Sequence, residues 1–181
     1  MKIKMTQILL FTLILLVSPI TFADSDTAGT DAVPPCSTPE FHQYDFWLGQ
    51  WELTWGEGDN AGSGTNIITA ELGGCVIEEN FSSSDEKSFI GNSLSVYDIK
   101  SGMWKQTWVD NSGAYLDFVG EFKDGEMFFW RTATKDGKEY KQRMVYFNIE
   151  ENSLDWKWES STDNGKTWKL LWQIHYQRKQ Q

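Results

Sequence analysis

Proline is confined to the beginning of the chain, and this distribution limits the possible folds more than any other feature. The four prolines are Pro19, Pro34, Pro35 and Pro39, and none follows Glu40. Proline cannot donate to the hydrogen-bond ladder of a sheet, so it is excluded from central strands. The proline-free remainder is rich in aromatic residues and interrupted by glycine turns, which is the pattern that a continuous β-meander requires.

Turn signals divide the segment after Glu40 into about ten short strands. Asp-Gly and Asn-x-Gly tips accept positive φ and favour tight hairpins. The predicted strands are Gln50–Gly56, Thr65–Leu72, Val76–Ser82, Ser88–Asp98, Met103–Asp110, Tyr115–Phe122, Glu126–Thr134, Tyr140–Asn148, Ser153–Ser160 and Thr167–Gln177. A helical turn is predicted only near Glu40–Trp47. Hairpin connections throughout predict an all-β fold, a single antiparallel up-and-down β-barrel.

Period-two alternation supports these strands. Trp104, Gln106 and Trp108 share one face of their strand. In the last strand one predicted face carries Trp168, Leu170, Trp172, Ile174 and Tyr176. A barrel of about ten strands is wide enough for a cavity, because its side chains need not fill the interior.

The first 23 residues have the features of a secretory signal peptide. Lys2 and Lys4 precede an apolar run at Ile8–Val17, and Thr21-Phe22-Ala23 offers a cleavage site. The apolar run is shorter than the roughly 20 residues of a comfortable membrane span. The sequence therefore predicts an exported protein, periplasmic in a bacterium or secreted, with no stable membrane insertion after cleavage. An uncleaved N-terminal anchor is the alternative.

One domain is predicted behind a short lead-in. Residues 24–38 are acidic, small and proline-containing, which indicates a flexible segment, and residues 39–178 form the predicted barrel. The chain has a formal net charge of −10. Such a charge repels nucleic acid and anionic membranes, so the sequence predicts no nucleic-acid partner. It identifies no protein partner.

Two cysteines, Cys36 and Cys75, are present. In an exported chain a disulfide between them is the default, and free buried thiols are the alternative. The bond would attach the lead-in to the body of the domain. A zinc site is not predicted, because the chain has neither a paired cysteine motif nor a histidine cluster.

Gly49-x-Trp51 stands at the head of the first predicted strand. This pair resembles the first signature of lipocalins and their calycin relatives, in which the tryptophan closes the base of the barrel beneath an arginine. The resemblance implies that Arg178, just beyond the last strand, lies over Trp51 in a cation–π contact. The alternative is that the motif belongs to the fold and has no functional content.

Further motifs extend from Cys36 to Tyr176. They are FWLGQW from Phe46, LGGCVIE from Leu72, the segment Tyr97–Gly113 with GMW and QTWVDNSG, and WESSTDNGKTW from Trp158. Together they resemble an uncharacterised exported bacterial family, a domain of unknown function with a lipocalin-like fold. Ser161–Trp168 also resembles the Asp-box of sialidases, a hairpin device, but a single copy does not predict a propeller.

The chain has 10 tryptophans, and core packing explains most of them. A subset on inward faces beside polar groups would suit a planar or amphipathic ligand, or a sugar. The candidate ligand-binding residues are Trp104, Gln106, Trp108, Trp130, Trp158 and Glu159.

His175 is the one histidine on a predicted strand. It invites comparison with related barrels, the nitrobindins, which bind haem through a single histidine, and this implies His175 as the haem ligand if haem is bound. No other cofactor is predicted. The more ordinary alternative is a surface or hydrogen-bonded histidine.

For catalysis, the sequence shows only isolated acids. Glu78 and Glu79 are adjacent, so they point to opposite faces and cannot share a proton. Asp110 or Glu159 could act alone at a barrel mouth. We therefore expect an exported, lipocalin-like, non-enzymatic binder of a small amphipathic or aromatic ligand. The alternatives are a barrel-mouth acid–base enzyme and a structural envelope interaction module with a filled barrel.

Overall fold

The computed structural model describes residues 34–84 and 89–180, which are built mainly from β-strands. The ten strands of these ranges are β1 (Gly49–Trp55), β2 (Gly62–Glu71), β3 (Val76–Ser83), β4 (Ile90–Asp98), β5 (Met103–Asp110), β6 (Tyr115–Lys123), β7 (Glu126–Lys135), β8 (Lys138–Phe147), β9 (Ser153–Ser161) and β10 (Lys169–Arg178). Short 3-10 turns lie at Pro39–His42, Asp45–Trp47, Gly58–Asn60 and Leu72–Gly74. No helix of these ranges is long and apolar enough to cross a membrane. The predicted signal peptide and most of the lead-in lie outside the described residues.

Each strand pairs antiparallel with the next along the chain, and β10 returns to pair with β1. The closing seam runs from Trp51 opposite Arg178 to Thr54 opposite His175. The predicted all-β, single up-and-down barrel of about ten strands is therefore confirmed.

The start of the last strand differs from the prediction. β10 begins at Lys169 rather than Thr167. Asp163 Oδ1 accepts hydrogen bonds from the backbone N–H groups of Lys166 and Thr167, at 3.1 and 2.9 Å. These amides are therefore satisfied inside the loop and are not available to the sheet.

The predicted inner face of the last strand is wrong at its beginning. The pairing of β10 with β9 shifts register between Leu170 and Trp172. An irregularity of this kind exchanges the two faces of the strand on either side of it. Leu170 is consequently half exposed, and the Trp168 ring lies 4.1 Å from the guanidinium carbon of Arg143 instead of sharing a face with Trp172.

A plug formed by residues 39–47 fills one end of the barrel. Tyr44 and Trp47 are fully buried, and their rings stack with centroids 4.9 Å apart. Tyr44 also meets the rings of Trp104 and Tyr146 at 5.5 and 5.3 Å. Large rings dominate core burial, so the plug forms a major part of the core at this end.

Arg178 fastens the plug to the closing seam. Its guanidinium carbon lies 4.1 Å from the centroid of the Trp51 ring. Its Nη1 donates to the Leu48 carbonyl at 2.6 Å, and its Nη2 donates to the Phe46 carbonyl at 3.1 Å. A Cβ on Gly49 would lie 2.5 Å from Nη1, and φ at this residue is +124°. Glycine is therefore required beside the arginine.

The predicted disulfide between Cys36 and Cys75 is present. It connects the segment before the plug to the residue that precedes β3, across a sequence separation of 39 residues. The N-terminal arm is thereby covalently attached to the barrel wall.

Candidate ligand cavity

A cavity of about 340 Å³ occupies the interior of the barrel. This volume lies within the range of roughly 300–1,000 Å³ that is usual for small-molecule sites. Partly exposed residues at its rim include Phe89, Asp110 and Tyr140, so the cavity reaches the surface. The large apolar rings that line it are Phe81, Phe89, Phe118, Trp108, Trp156, Trp158 and Trp172.

Strand alternation and one close glycine create the aromatic walls. Trp156 of β9 and Trp172 of β10 meet edge-on, with ring centroids 5.7 Å apart. The Trp108 ring lies over Gly91 of the neighbouring strand, where a Cβ would be only 2.1 Å from the ring, so a glycine is needed there. The rings thus line the interior without filling it, and the cavity argues against the alternative of a fully packed barrel.

A buried carboxyl group lies among the cavity-lining residues. Glu79 is 6% exposed and stands on β3 between Ile77 and Phe81, which are also buried. Ser93, directly opposite in β4, donates its hydroxyl to Glu79 Oε2 at 2.6 Å. Asn66 of β2 donates its amide to Oε1 at 2.7 Å. Two neighbouring strands therefore hold the carboxyl in place.

The protonation of Glu79 is shifted by its surroundings. Burial raises its pKa to about 7, although the hydrogen bonds from Ser93 and Asn66 act in the opposite direction. Among the described residues, no lysine, arginine or histidine forms an ion pair with Glu79. Near neutral pH the cavity therefore holds a carboxyl group that can gain or lose a proton.

Other polar groups surround Glu79. Tyr176 lines the cavity, and its hydroxyl lies 3.3 Å from the Asn66 amide nitrogen. Burial, reinforced by the nearby charge of Glu79, raises the pKa of Tyr146 and Tyr176 far above the usual range. Both hydroxyls are protonated at neutral pH and can donate hydrogen bonds into the cavity.

Asp110 and Arg131 also line the cavity. Burial acts to raise the pKa of Asp110, but hydrogen bonds from Ser112, Trp108 and the Ala114 backbone outweigh it and lower the pKa. Asp110 is therefore ionised at neutral pH, which does not suit a general acid.

The structure brings together three of the six predicted ligand-binding residues. Gln106, Trp108 and Trp158 line the cavity, and Gln106 donates to the Ser95 hydroxyl at 3.0 Å. Trp104 is inward-facing but belongs to the plugged end. Its Nε1 donates to the Gln43 side chain of the plug at 3.2 Å, so Trp104 is a packing residue.

Trp130 and Glu159 lie on the outer face of the barrel. Trp130 is 36% exposed and neighbours the inward-facing Phe129 on β7. Glu159 follows the cavity residue Trp158, so alternation turns it outward. There it accepts a hydrogen bond from Arg143 Nε at 2.6 Å. The expectation that these two residues face the cavity is wrong.

His175 also faces outward. It precedes the buried Tyr176 on β10, is half exposed, and its Nδ1 lies 2.9 Å from Asp155 Oδ1. This position matches the alternative of a hydrogen-bonded surface histidine, and it cannot serve a ligand inside the cavity. Across the described ranges, no group of three or more His, Cys, Asp or Glu side chains could hold a metal ion.

Glu79, like Trp156 and Trp172, lines the cavity but is not among the residues predicted to bind a ligand. The adjacency of Glu78 and Glu79 predicts only that they face opposite sides of the strand, which is correct. The signal was present in β3, where Ile77, Glu79 and Phe81 occupy alternate positions. An acid between two large apolar residues of one face indicates a buried carboxyl group.

These features define a closed, ten-stranded up-and-down β-barrel with an aromatic cavity and a buried carboxyl group. A comparison of the chain with models of known protein families finds no match, and a comparison with curated proteins finds none.

Proposed function

We propose that this protein is exported and binds a small amphipathic or aromatic molecule in its barrel, without catalysing a reaction. The single observation that carries this proposal is the cavity of about 340 Å³ lined by tryptophan and phenylalanine rings. The signal-peptide pattern and the disulfide support export. Membership in the exported lipocalin-like family that the motifs resemble is part of the same proposal.

The chemistry of the cavity suits a ligand with two unlike ends. Trp156, Trp158 and Trp172 offer ring faces and edges to an apolar or aromatic body. Glu79, Gln106 and the tyrosine hydroxyls offer hydrogen bonds to a polar end. Such a combination of apolar walls and few polar groups is typical of small-molecule sites.

A matched pair of tryptophan variants tests the proposal. We expect naphthyl or phenyl compounds with one polar group to change the intrinsic fluorescence, since Trp158 lines the cavity. Trp158→Phe should weaken their binding roughly tenfold, corresponding to about 1.4 kcal/mol of lost ring contact. Trp130→Phe, the same change on the outer face, should leave the affinity unchanged. Equal affinities in both variants, or no binding of any such compound, would contradict a cavity site.

An acid–base enzyme is the second candidate, and one observation favours it. The pKa of Glu79 is raised to about 7, which is the range a general acid or base uses at neutral pH. Glu79 would then act in place of Asp110 and Glu159. Mass spectrometry of a bound compound after prolonged incubation separates the two functions. Recovery of the unchanged compound supports a binder, whereas turnover that Glu79→Gln abolishes supports an enzyme.

A further inference from the structure

We propose that the natural ligand is an organic cation, a protonated amine on an apolar or aromatic body, whose ammonium group pairs with Glu79. This inference rests on the proposed binding function and names the ligand class. It follows from the charges, the hydrogen-bond capacity and the rings that surround the carboxyl group.

No cationic side chain in residues 34–84 and 89–180 is paired with the Glu79 carboxyl group. The groups that interact with Glu79 are Asn66 of β2, Ser93 of β4, Tyr146 of β8, Tyr176 of β10 and Tyr44 of the plug. All of these groups are uncharged at neutral pH. Buried charges in proteins are normally paired, and here an incoming ligand can supply the partner.

The hydrogen-bond capacity around Glu79 is not used up. A carboxylate accepts about four hydrogen bonds, and Glu79 receives two from side chains, those of Ser93 and Asn66. The Asn66 side-chain oxygen is buried and accepts no hydrogen bond from the described part of the chain. An ammonium group has three donors and no acceptor, so it complements this surplus of acceptors.

The walls of the cavity also favour a cation. Trp108, Trp156, Trp158 and Trp172 line the same cavity as Glu79. The faces of aromatic rings attract cations, most strongly for tryptophan. An anionic ligand would be repelled by Asp110, which lines the cavity and is ionised at neutral pH. Arg131 is the one basic side chain among the described lining residues that could attract it.

Binding of an amine displaces the proton of Glu79. Near neutral pH part of the population carries a neutral carboxyl group, and the ammonium group pairs with the carboxylate form. The carboxyl proton then passes to the buffer, and the amine keeps its own proton because alkylamines titrate near pH 10. Affinity for an amine therefore rises with pH, whereas a neutral ligand gains nothing from ionisation of Glu79.

Three compounds that share one ring system test the proposal by calorimetry: naphthylethylamine, naphthylethanol and naphthylacetate. At pH 8 we expect the amine to bind at least tenfold more tightly than the alcohol, and the anion to bind most weakly. Between pH 8 and pH 6 the affinity of the amine should fall roughly tenfold, because Glu79 takes up a proton. Titrations at pH 7 in phosphate and in HEPES, whose ionisation enthalpies differ, should show proton release with the amine only.

Two variants distinguish the contribution of the Glu79 carboxyl group to binding from that of the apolar cavity. Glu79→Gln should remove the preference for the amine and the proton release but retain binding of naphthylethanol. Glu78→Gln, the outward-facing neighbour, should keep both. If naphthylethanol binds and the amine binds no better, the binding function stands and the cationic ligand class is wrong. If none of the three binds, both proposals are wrong. The proton-release titration of the unaltered protein decides the question even if Glu79→Gln does not fold.

Discussion

Glu79 combines burial with two hydrogen bonds and has no ion-pair partner among the described residues. Leaving a carboxyl group in such a place opposes folding when the group is ionised. An apolar residue at this position would stabilise the barrel, but it could not form hydrogen bonds or an ion pair with a ligand. The ionised carboxyl group therefore costs stability, and the cationic ligand proposed above would offset that cost.

The stability of the barrel should therefore fall as pH rises through the titration range of Glu79. Its pKa is raised from 4.5 to about 7, so below pH 4.5 both folded and unfolded forms are protonated and no penalty applies. Between pH 4.5 and 7 the unfolded form ionises first, and the folded state loses up to about 3 kcal/mol of relative stability. Glu79→Gln should remove this loss in urea unfolding at pH 4.5 and pH 8.

The adjacent acid provides the control for that measurement. Glu78 lies on the outer face of the same strand, so Glu78→Gln should follow the unaltered protein at both pH values. If the unaltered protein and Glu79→Gln show the same pH dependence of stability, burial does not raise the pKa of Glu79.

At the residue scale, the sequence predicts three of the residues that line the cavity, Gln106, Trp108 and Trp158. Gln106 and Trp108 were placed correctly because they alternate with Lys105 and Thr107. Glu159 was misplaced although Trp158, its neighbour, had been assigned to the cavity, and two adjacent residues of a strand cannot both face inward. The local alternation of β3 indicates that Glu79 is buried, but its hydrogen-bond partners, Ser93 and Asn66, belong to two other strands, which no local pattern specifies.

At the scale of elements, the pairing of β1 with β10 closes the barrel. Arg178 crosses this seam and donates to the carbonyl groups of Phe46 and Leu48 while covering Trp51. Charge-assisted hydrogen bonds and a partly desolvated cation–π contact act together here. The arrangement joins the plug, the first strand and the last strand.

We expect Arg178→Met to lower the free energy of unfolding by roughly 2–4 kcal/mol, because two partly buried carbonyl groups lose their donors and the Trp51 ring loses its cation. Urea unfolding followed by tryptophan fluorescence measures the change. Lys179→Met, the same replacement at the exposed next residue, is the control. Similar midpoints for the two variants would mean that Arg178 does not hold the seam.

Strict alternation of inward and outward residues does not predict the faces of β10. In β5, alternation alone predicts the face shared by Trp104, Gln106 and Trp108, and all three side chains point inward. In β10 the register shift between Leu170 and Trp172 exchanges the faces, and Asp163 withholds two backbone amides from the sheet. These events depend on pairing with β9 and on loop hydrogen bonds. A hydrophobic pattern within the strand does not contain that information.

For the whole molecule, the plug and the disulfide act together at one end of the barrel. The bond between Cys36 and Cys75 closes a segment of 39 residues that contains the plug, β1 and β2. The pairing was predictable because the chain has only two cysteines. Closure of the barrel was predictable because hairpins connect all the strands.

Replacing both cysteines with serine should lower the free energy of unfolding by about 2–4 kcal/mol, since the unfolded chain gains the entropy of an open loop. Thermal unfolding followed by circular dichroism measures the change. The unaltered protein in reducing agent should show the same loss, and the double variant should not respond to the reagent. A double variant as stable as the oxidised protein would show that ring packing alone holds the plug.

The closed ring of strands affects how this protein can associate with other chains. Each strand β1 to β10 is hydrogen-bonded to a neighbour on both sides over part of its length, so none of these strands is an edge strand from end to end. A protein so rich in β-structure is in this way protected from assembling into fibrils while folded. The outward side chains of these strands can therefore vary in composition, for example to suit a partner, without disturbing the backbone that shapes the cavity.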